Sequence, residues 1–351
     1  MTTEIGPDVT EILPQHRFDE TRLGAYLHKQ LPDFPERFTL GQFGGGHSNP
    51  TFLLDAGDEK LVLRKKPPGA LLRGAHQVER EFRVMKALKG HVPVPVMRIL
   101  CEDESVVGTP FFLMDYVAGR LSAEPHLPEL VRHERRPASL ALARNLARLH
   151  SVDWREVGLG DFGKPENYLA RQIRTWSRQF ETSKTAEMPA MDRLISSLAD
   201  HVPEDGPSSI VHGDYRPGNM IFASDCPEIV AILDWELSTI GHPLADLGYV
   251  CMPYHLPAGV PGIKGLAGLD LAAAGLATES EFLDVYTRER GLAEVPDLPY
   301  FVAFSLFRLA AILQGVYARA LQGNASRADA NEVGDRAGFL AERGWEIAAR
   351  L

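Results

Sequence analysis

The sequence predicts an α+β chain in two lobes, an antiparallel-sheet N-terminal lobe followed by a mainly helical C-terminal one. Three observations predict it. Short apolar runs bounded by glycine and proline crowd residues 36–117, whereas from Arg120 onward apolar residues recur every three to four positions. A chain of 351 residues exceeds one small core and suits two compact bodies. The apolar runs around residues 210–233 each present a carboxylate or amide at their polar end, which singles out Asp214, Asn219 and Asp234.

Taken in order, residues 1–35 form a helical extension, with a helix over 19–31 from the spacing of Leu23, Tyr26, Leu27 and Leu31. Pro32 and Pro35 end it. Residues 38–43 and 51–55 read as strands around a glycine-rich turn, and glycine lets a backbone approach a phosphate closely. Gly44, Gly45, Gly46, Ser48 and Asn49 are therefore candidate nucleotide contacts, an ordinary hairpin being the alternative. Residues 60–66 form a third strand ending in Arg64, Lys65 and Lys66. In the helix over 75–89, Val78, Phe82, Met85 and Leu88 mark the inward face, which Glu81 shares, while Glu79 lies beside Arg83 and Lys86. Residues 91–97 are extended by prolines, 101–103 and 106–108 suggest strand, turn and strand, and 111–119 is a buried strand running into glycine.

Helices are expected over 137–152, 168–180, 191–199, 278–290, 300–322 and 331–351, with a substrate-covering loop at 253–275 rich in Gly, Pro and Ala. The helix over 300–322 is apolar nearly all round and central to its lobe; Arg308 within it either serves the structure or reaches an anionic substrate group.

Composition narrows the function. With 44% hydrophobic and 24% charged residues the chain is globular, and no uncharged apolar run reaches the roughly 18 to 20 residues of a membrane span. The acidic N-terminus lacks a basic signal region, so a cytoplasmic location and no membrane partner are expected. Three scattered cysteines and twelve histidines without ligand spacing indicate neither zinc nor disulfides. A net charge of −10 argues against nucleic-acid partners.

The separation of five between Asp214 and Asn219 is that of a kinase catalytic loop, in which the Asp accepts the attacking hydroxyl's proton and the Asn holds Mg²⁺. Asp234, directly after Ile-Val-Ala-Ile-Leu, suits the later metal-holding Asp. The plainer alternative makes all three turn residues. The string His212-Gly213-Asp214-Tyr215-Arg216-Pro217-Gly218-Asn219, followed by Ile232-Leu233-Asp234-Trp235-Glu236, resembles the aminoglycoside phosphotransferase and choline kinase group, relatives of the protein kinases.

That resemblance implies a bilobal protein-kinase-like fold with a nucleotide-binding N-lobe over 36–117 and a catalytic, substrate-binding C-lobe over 118–351. It implies Asp214 as catalytic base, Asn219 and Asp234 as Mg²⁺ ligands, and ATP as donor to a small-molecule hydroxyl. By the same resemblance Arg64 or Lys65, partnered by Glu81, fixes the phosphates, with arginine standing where the family usually has lysine. Asp115, Tyr116 and Val117 would hold adenine at the hinge, and Asp246 would be structural. Asp161-Phe162-Gly163 matches the protein-kinase metal motif by letters but precedes the catalytic loop, so it is expected to be an unrelated turn. Residues 63–69 and 75–81 look like the subgroup that includes the kinase domain fused to some acyl-CoA dehydrogenases. The candidate acceptors are thus an aminoglycoside, another amino alcohol or a hydroxyacyl-CoA. A noncatalytic nucleotide-binding protein of the same fold is the alternative, a protein kinase a further one, and a homodimer is compatible with either.

Overall fold

The computed structural model describes residues 9–44, 49–69, 77–322 and 330–351. The chain divides into two compact units, the first made of Met1–Leu121 with Met220–Ser238, the second of Ser122–Asn219 with Thr239–Leu351. Where the sequence places a single boundary after residue 117, the first unit is therefore discontinuous and takes back a segment beyond the catalytic loop.

In the first unit, β1 (Val9–Thr10), β2 (Thr39–Phe43), β3 (Thr51–Asp55), β4 (Lys60–Lys65), β5 (Met97–Cys101) and β6 (Phe111–Asp115) form an antiparallel sheet in the order β1-β2-β3-β4-β6-β5. Side chains alternate across the pleat, so Leu61 and Leu63 fall on one face with Phe52, Leu54, Phe111 and Leu113. That face is closed by α1 (Glu20–Gln30) through Leu23 and Leu27. Asp19 caps α1, its carboxylate accepting from the Thr21 and Arg22 amides at 3.0 and 3.1 Å. The opposite face carries Arg64 and Phe112 and meets α2 (Val78–Leu88), whose Phe82 ring lies 6.3 Å from that of Phe112.

The sequence expectation of a strand over 106–108 is corrected by α3 (Glu104–Val107). Asp103 caps it by accepting from the Ser105 amide at 2.9 Å, and Gly108 ends it at φ 85°. The two valines suggest a strand, but the caps decide. A second small sheet in this unit, order β10-β9-β7, joins β7 (Arg120–Leu121), β9 (Met220–Phe222) and β10 (Ile229–Ile232). The Ile232 amide donates to the Pro93 carbonyl at 2.9 Å, tying this sheet to the chain that follows α2.

The second unit is helical around a short ladder of β8 (Ser209–Val211) and β11 (Thr239–Gly241). Its helices are α4 (Arg132–Ser151), α5 (Tyr168–Ser183), α6 (Pro189–Asp200), α7 (Leu244–Cys251), α8 (Leu271–Ala274), α9 (Glu279–Arg290), α10 (Leu298–Leu321) and α11 (Ala330–Ala348). α4 begins before Pro137, where the sequence places its start, because Glu134 reaches back to cap the Val131 amide at 3.3 Å. As expected, α10 is the central element, packed by α5, α6, α7 and α11. Its length and composition would suit a membrane span, yet 72% of its most apolar stretch is buried within the protein.

Candidate active site

Two groups of residues carry the candidate chemistry, one in each unit. In the second unit, the loop after β8 is organised by a buried carboxylate. Asp246, at the start of α7, accepts from the His212 amide at 2.6 Å and the Gly213 amide at 2.9 Å. Its other neighbour is His150 Nε2 at 3.4 Å, whose Nδ1 contacts the Tyr286 hydroxyl at 2.9 Å. Burial pushes the Asp246 pKa up, but His150 and these amides outweigh it and hold the carboxyl below its usual range. Burial in turn pushes the His150 pKa down. Gly213 turns at φ 86°, a left-handed conformation that glycine adopts without strain, and so aims the next residue out of the ladder.

That residue is Asp214. Asn219 Nδ2 donates to both the Asp214 carbonyl and its Oδ2 at 2.8 Å, and Arg216 Nε approaches the two carboxylate oxygens at 3.0 and 3.3 Å. The separation of five read from the sequence thus closes one small loop, completed by the 3-10 turn Pro217–Asn219. The Arg216 guanidinium folds back over Gly218, where a Cβ would lie 2.3 Å from its Nη1. The Tyr249 hydroxyl is also hydrogen-bonded to Asp214, and burial first, then the Asp214 charge, raises the phenol pKa. Arg308 is buried, donates to the Gly213 carbonyl and lies 5.0 Å above the Tyr249 ring. These contacts give Arg308 a structural role in holding the loop.

In the first unit the centre is Arg64. Its Nε lies 2.9 Å from Glu81, and its Nη2 lies 2.7 Å from Asp234 and 3.7 Å from Glu236. One guanidinium faces three carboxylates. Burial opposes the Arg64 charge, but Glu81, Asp234 and Glu236 together outweigh it and raise its pKa. Glu81 is fully buried; desolvation, opposed by Arg64 and reinforced by the two other carboxylates, pushes it up to about 7. Asp234 occupies a left-handed conformation, φ 64° and ψ 61°, rare for a residue other than glycine. Asn49 is buried and donates from Nδ2 to Glu236 at 3.3 Å.

The pleat separates the two strand cations left as alternatives. Arg64 turns to α2, whereas Lys65 turns to the α1 side, where its Nζ donates to the Val107 carbonyl at 2.6 Å and lies 4.9 Å over the Phe18 ring. Burial lowers the Lys65 pKa to about 8. The structure therefore places Lys65 in the core of the sheet's other face, apart from the Arg64 cluster. Lys66 pairs with Glu79 at 2.5 Å.

At the expected hinge, the Asp115 amide donates to Val96 O at 2.9 Å and the Tyr116 amide to Lys60 O at 3.2 Å, while the Asp115 side chain pairs with Arg98 at 2.5 Å. Two of the three hinge amides are thus engaged within the sheet, and Val117 follows outside regular secondary structure. Gly44 ends β2 in a turn; Gly45, Gly46 and Ser48 lie outside the described residues. Asp161 is exposed in a turn whose Phe162 is buried in the second unit's core, the unrelated turn that chain order predicts. Sequence patterning assigns no role to Glu236, Arg216 or Tyr249. Glu236 has a signal in Asp-Trp-Glu, whereas the approach of Tyr249 to Asp214 depends on how α7 is anchored. Among the described residues, no group of three or more His, Cys, Asp or Glu is arranged to hold a metal ion.

Acyl-CoA dehydrogenase family member 10 of Mus musculus is 44% identical over 312 residues, covering 89% of this chain and 29% of the relative. Family member 11 of Gallus gallus is 41% identical over 356 residues, covering 99% of this chain and 46% of the relative. The chain therefore spans less than half the length of these curated relatives. A solved protein of Ralstonia eutropha JMP134, provisionally assigned as an aminoglycoside phosphotransferase, superposes with a TM-score of 0.85 at 42% identity, covering 95% of this chain and 99% of the other. An aminoglycoside phosphotransferase in complex with GDP and kanamycin shares the fold alone, with a TM-score of 0.61 at 17% identity over 93% of this chain and 98% of that one. The model of the phosphotransferase enzyme family matches residues 39–286, and the chain belongs to that family.

Proposed function

We propose that the protein is an ATP- and Mg²⁺-dependent phosphotransferase acting on a hydroxyl of a small molecule, with a hydroxyacyl-CoA as the favoured acceptor. The observation that carries the nucleotide and metal part is the charge of the Arg64 cluster. Three carboxylates face one guanidinium, so even with Glu81 protonated a surplus negative charge remains. Polyphosphate alone would add to that surplus, and a divalent cation would relieve it. Hard cations of this kind need few protein ligands, and carboxylate and amide oxygens are the right donors. Asp234 and Asn219 are the residues assigned to hold the ion. When bound, magnesium supplies neutralisation of the phosphate charge.

Asp214 is assigned to accept the acceptor hydroxyl's proton. Its carboxylate is held by Asn219, Arg216 and Tyr249, an arrangement suited to orienting a nucleophile, and positioning supplies most of the catalysis in phosphoryl transfer. The acceptor class rests on the likeness to proteins named as acyl-CoA dehydrogenase family members, which exceeds that to the aminoglycoside enzyme solved with kanamycin. GTP is the alternative donor, since that enzyme was solved with GDP.

Thermal unfolding with ATP, with and without Mg²⁺, tests the reading in wild type and Asp234→Ala. Ligand at a hundredfold excess over Kd adds about 2.7 kcal/mol of stability. A magnesium-dependent rise in wild type, lost in the variant, is expected, followed by phosphate transfer to a hydroxyacyl-CoA. Stabilisation without transfer to any hydroxyl compound would favour a noncatalytic nucleotide-binding protein, and absence of stabilisation by ATP or GTP would overturn the reading.

A further inference from the structure

The turn that follows Asp234 is built more firmly than a strand end requires. Trp235 is buried and donates from Nε1 to the Ile232 carbonyl at 2.9 Å. Ser238 returns both its amide, at 3.0 Å, and its hydroxyl, at 2.6 Å, to the Trp235 carbonyl. From α2, Arg80 donates to the Ser238 carbonyl at 3.4 Å. Glu236, between these anchors, has little freedom to choose its direction. Its carboxylate faces Asn49 Nδ2 at 3.3 Å and Arg64 Nη2 at 3.7 Å.

Asn49 is fixed as firmly. It stands where the chain leaves the glycine-rich run and re-enters β3, its carbonyl accepting from the Thr51 hydroxyl at 3.0 Å. The next carbonyl, of Pro50, accepts from the Lys65 amide at 3.0 Å, and Thr51 lies directly across the ladder from Arg64. Asn49 thus stands two residues before the register partner of Arg64, and Glu236 contacts both side chains. A carboxylate serving packing alone would do better as a neutral side chain, because taking a charge out of water costs several kcal/mol that only close pairing and hydrogen bonds repay. Glu236 keeps 20% of its side chain exposed beside a cation already served by two other carboxylates.

We propose that Glu236 is a positioning residue for the nucleotide phosphates, bridging Asn49 at the exit of the glycine-rich run to Arg64 on β4, so that the two phosphate-facing elements are held as one unit. The proposal rests on the nucleotide-binding reading. The test is a double-mutant cycle in Mg·ATP affinity, by titration calorimetry on wild type, Asn49→Ala, Glu236→Ala and the double variant. Each single variant is expected to bind about tenfold more weakly, and the double no more weakly than the worse single, since each removes the same hydrogen bond to a charged group. Thermal midpoints are read in parallel; Glu236→Ala is expected to keep its midpoint while losing affinity, a split that a packing role alone would not give. Losses that multiply in the double variant, or unchanged affinities, would overturn the bridge. If the alanine variants do not fold, Asn49→Ser with Glu236→Gln gives the same cycle. A wild type that binds no nucleotide overturns the nucleotide reading and the bridge together, whereas a binding wild type with multiplying losses removes only the bridge.

Discussion

The loop around Asp214 and the cluster around Arg64 are built on opposite principles. In the loop, Asp214 is held by Arg216 and Asn219, two and five residues away, and by Tyr249 from α7, and the fully buried carboxylate of Asp246 is matched by two backbone amides and His150. In the cluster, partners come from β4, α2 and the turn after β10, and acceptors outnumber the cation. The first is a closed hydrogen-bond network and the second an open electrostatic one. A closed network fixes geometry, while an open one leaves affinity for a further charge.

The largest break should come from the closed side. Asp214→Asn keeps the shape of the loop but removes the proton acceptor, and turnover is expected to fall by about 10²- to 10⁴-fold with Mg·ATP affinity within about threefold of wild type. Steady-state kinetics beside direct binding checks this; an equal loss of both would merge the two regions' roles. Next, Asp246→Ala strands the His212 and Gly213 amides and should cost about 3 to 5 kcal/mol in urea unfolding, the range for breaking a buried charged network.

A pH test sharpens the open side. Glu81 has its pKa raised to about 7 in the fold, against 4.5 ordinarily, so between those values the native state holds the extra proton. The contribution is fully present below about pH 4.5 and lost as pH rises through 7, a difference of about 3 kcal/mol at most. Unfolding free energies at pH 5.5 and 8 should therefore diverge more in wild type than in Glu81→Gln, and equal slopes would mean that Arg64 keeps Glu81 ionised throughout. The smallest effect is expected on the sheet's other face. Lys65→Met removes a buried amine and should leave Mg·ATP affinity within about twofold while changing stability by no more than about 1 kcal/mol. A tenfold affinity loss would return Lys65 to the phosphate site.

The same contrast explains what is legible in the sequence. Asp214 and Asn219 can be read because their contact is local, and the long helices because their apolar stripes repeat. Arg64 cannot be separated from Lys65, since Leu61, Val62 and Leu63 are buried on both faces and the alternation that would assign them is erased. α3 reads as a strand because two valines outweigh a cap that only the Asp103 and Gly108 geometry reveals. Glu236 and Tyr249 are silent because each reaches its partner through tertiary packing, and no spacing rule spans that distance.

The split composition of the first unit also has a meaning in time. Its β4 and α2 are synthesised before Ser122–Asn219, which belongs to the other unit, and Asp234 and Glu236 follow only after it. At roughly 5 to 20 residues per second, those hundred or so residues take about 5 to 20 s to emerge. During that interval Arg64 has Glu81 as its carboxylate partner, and β7 lacks β9. On the ribosome the unit must wait as an unfinished sheet, and the arrival of the Asp-Trp-Glu turn is the event that both completes its topology and charges its cluster.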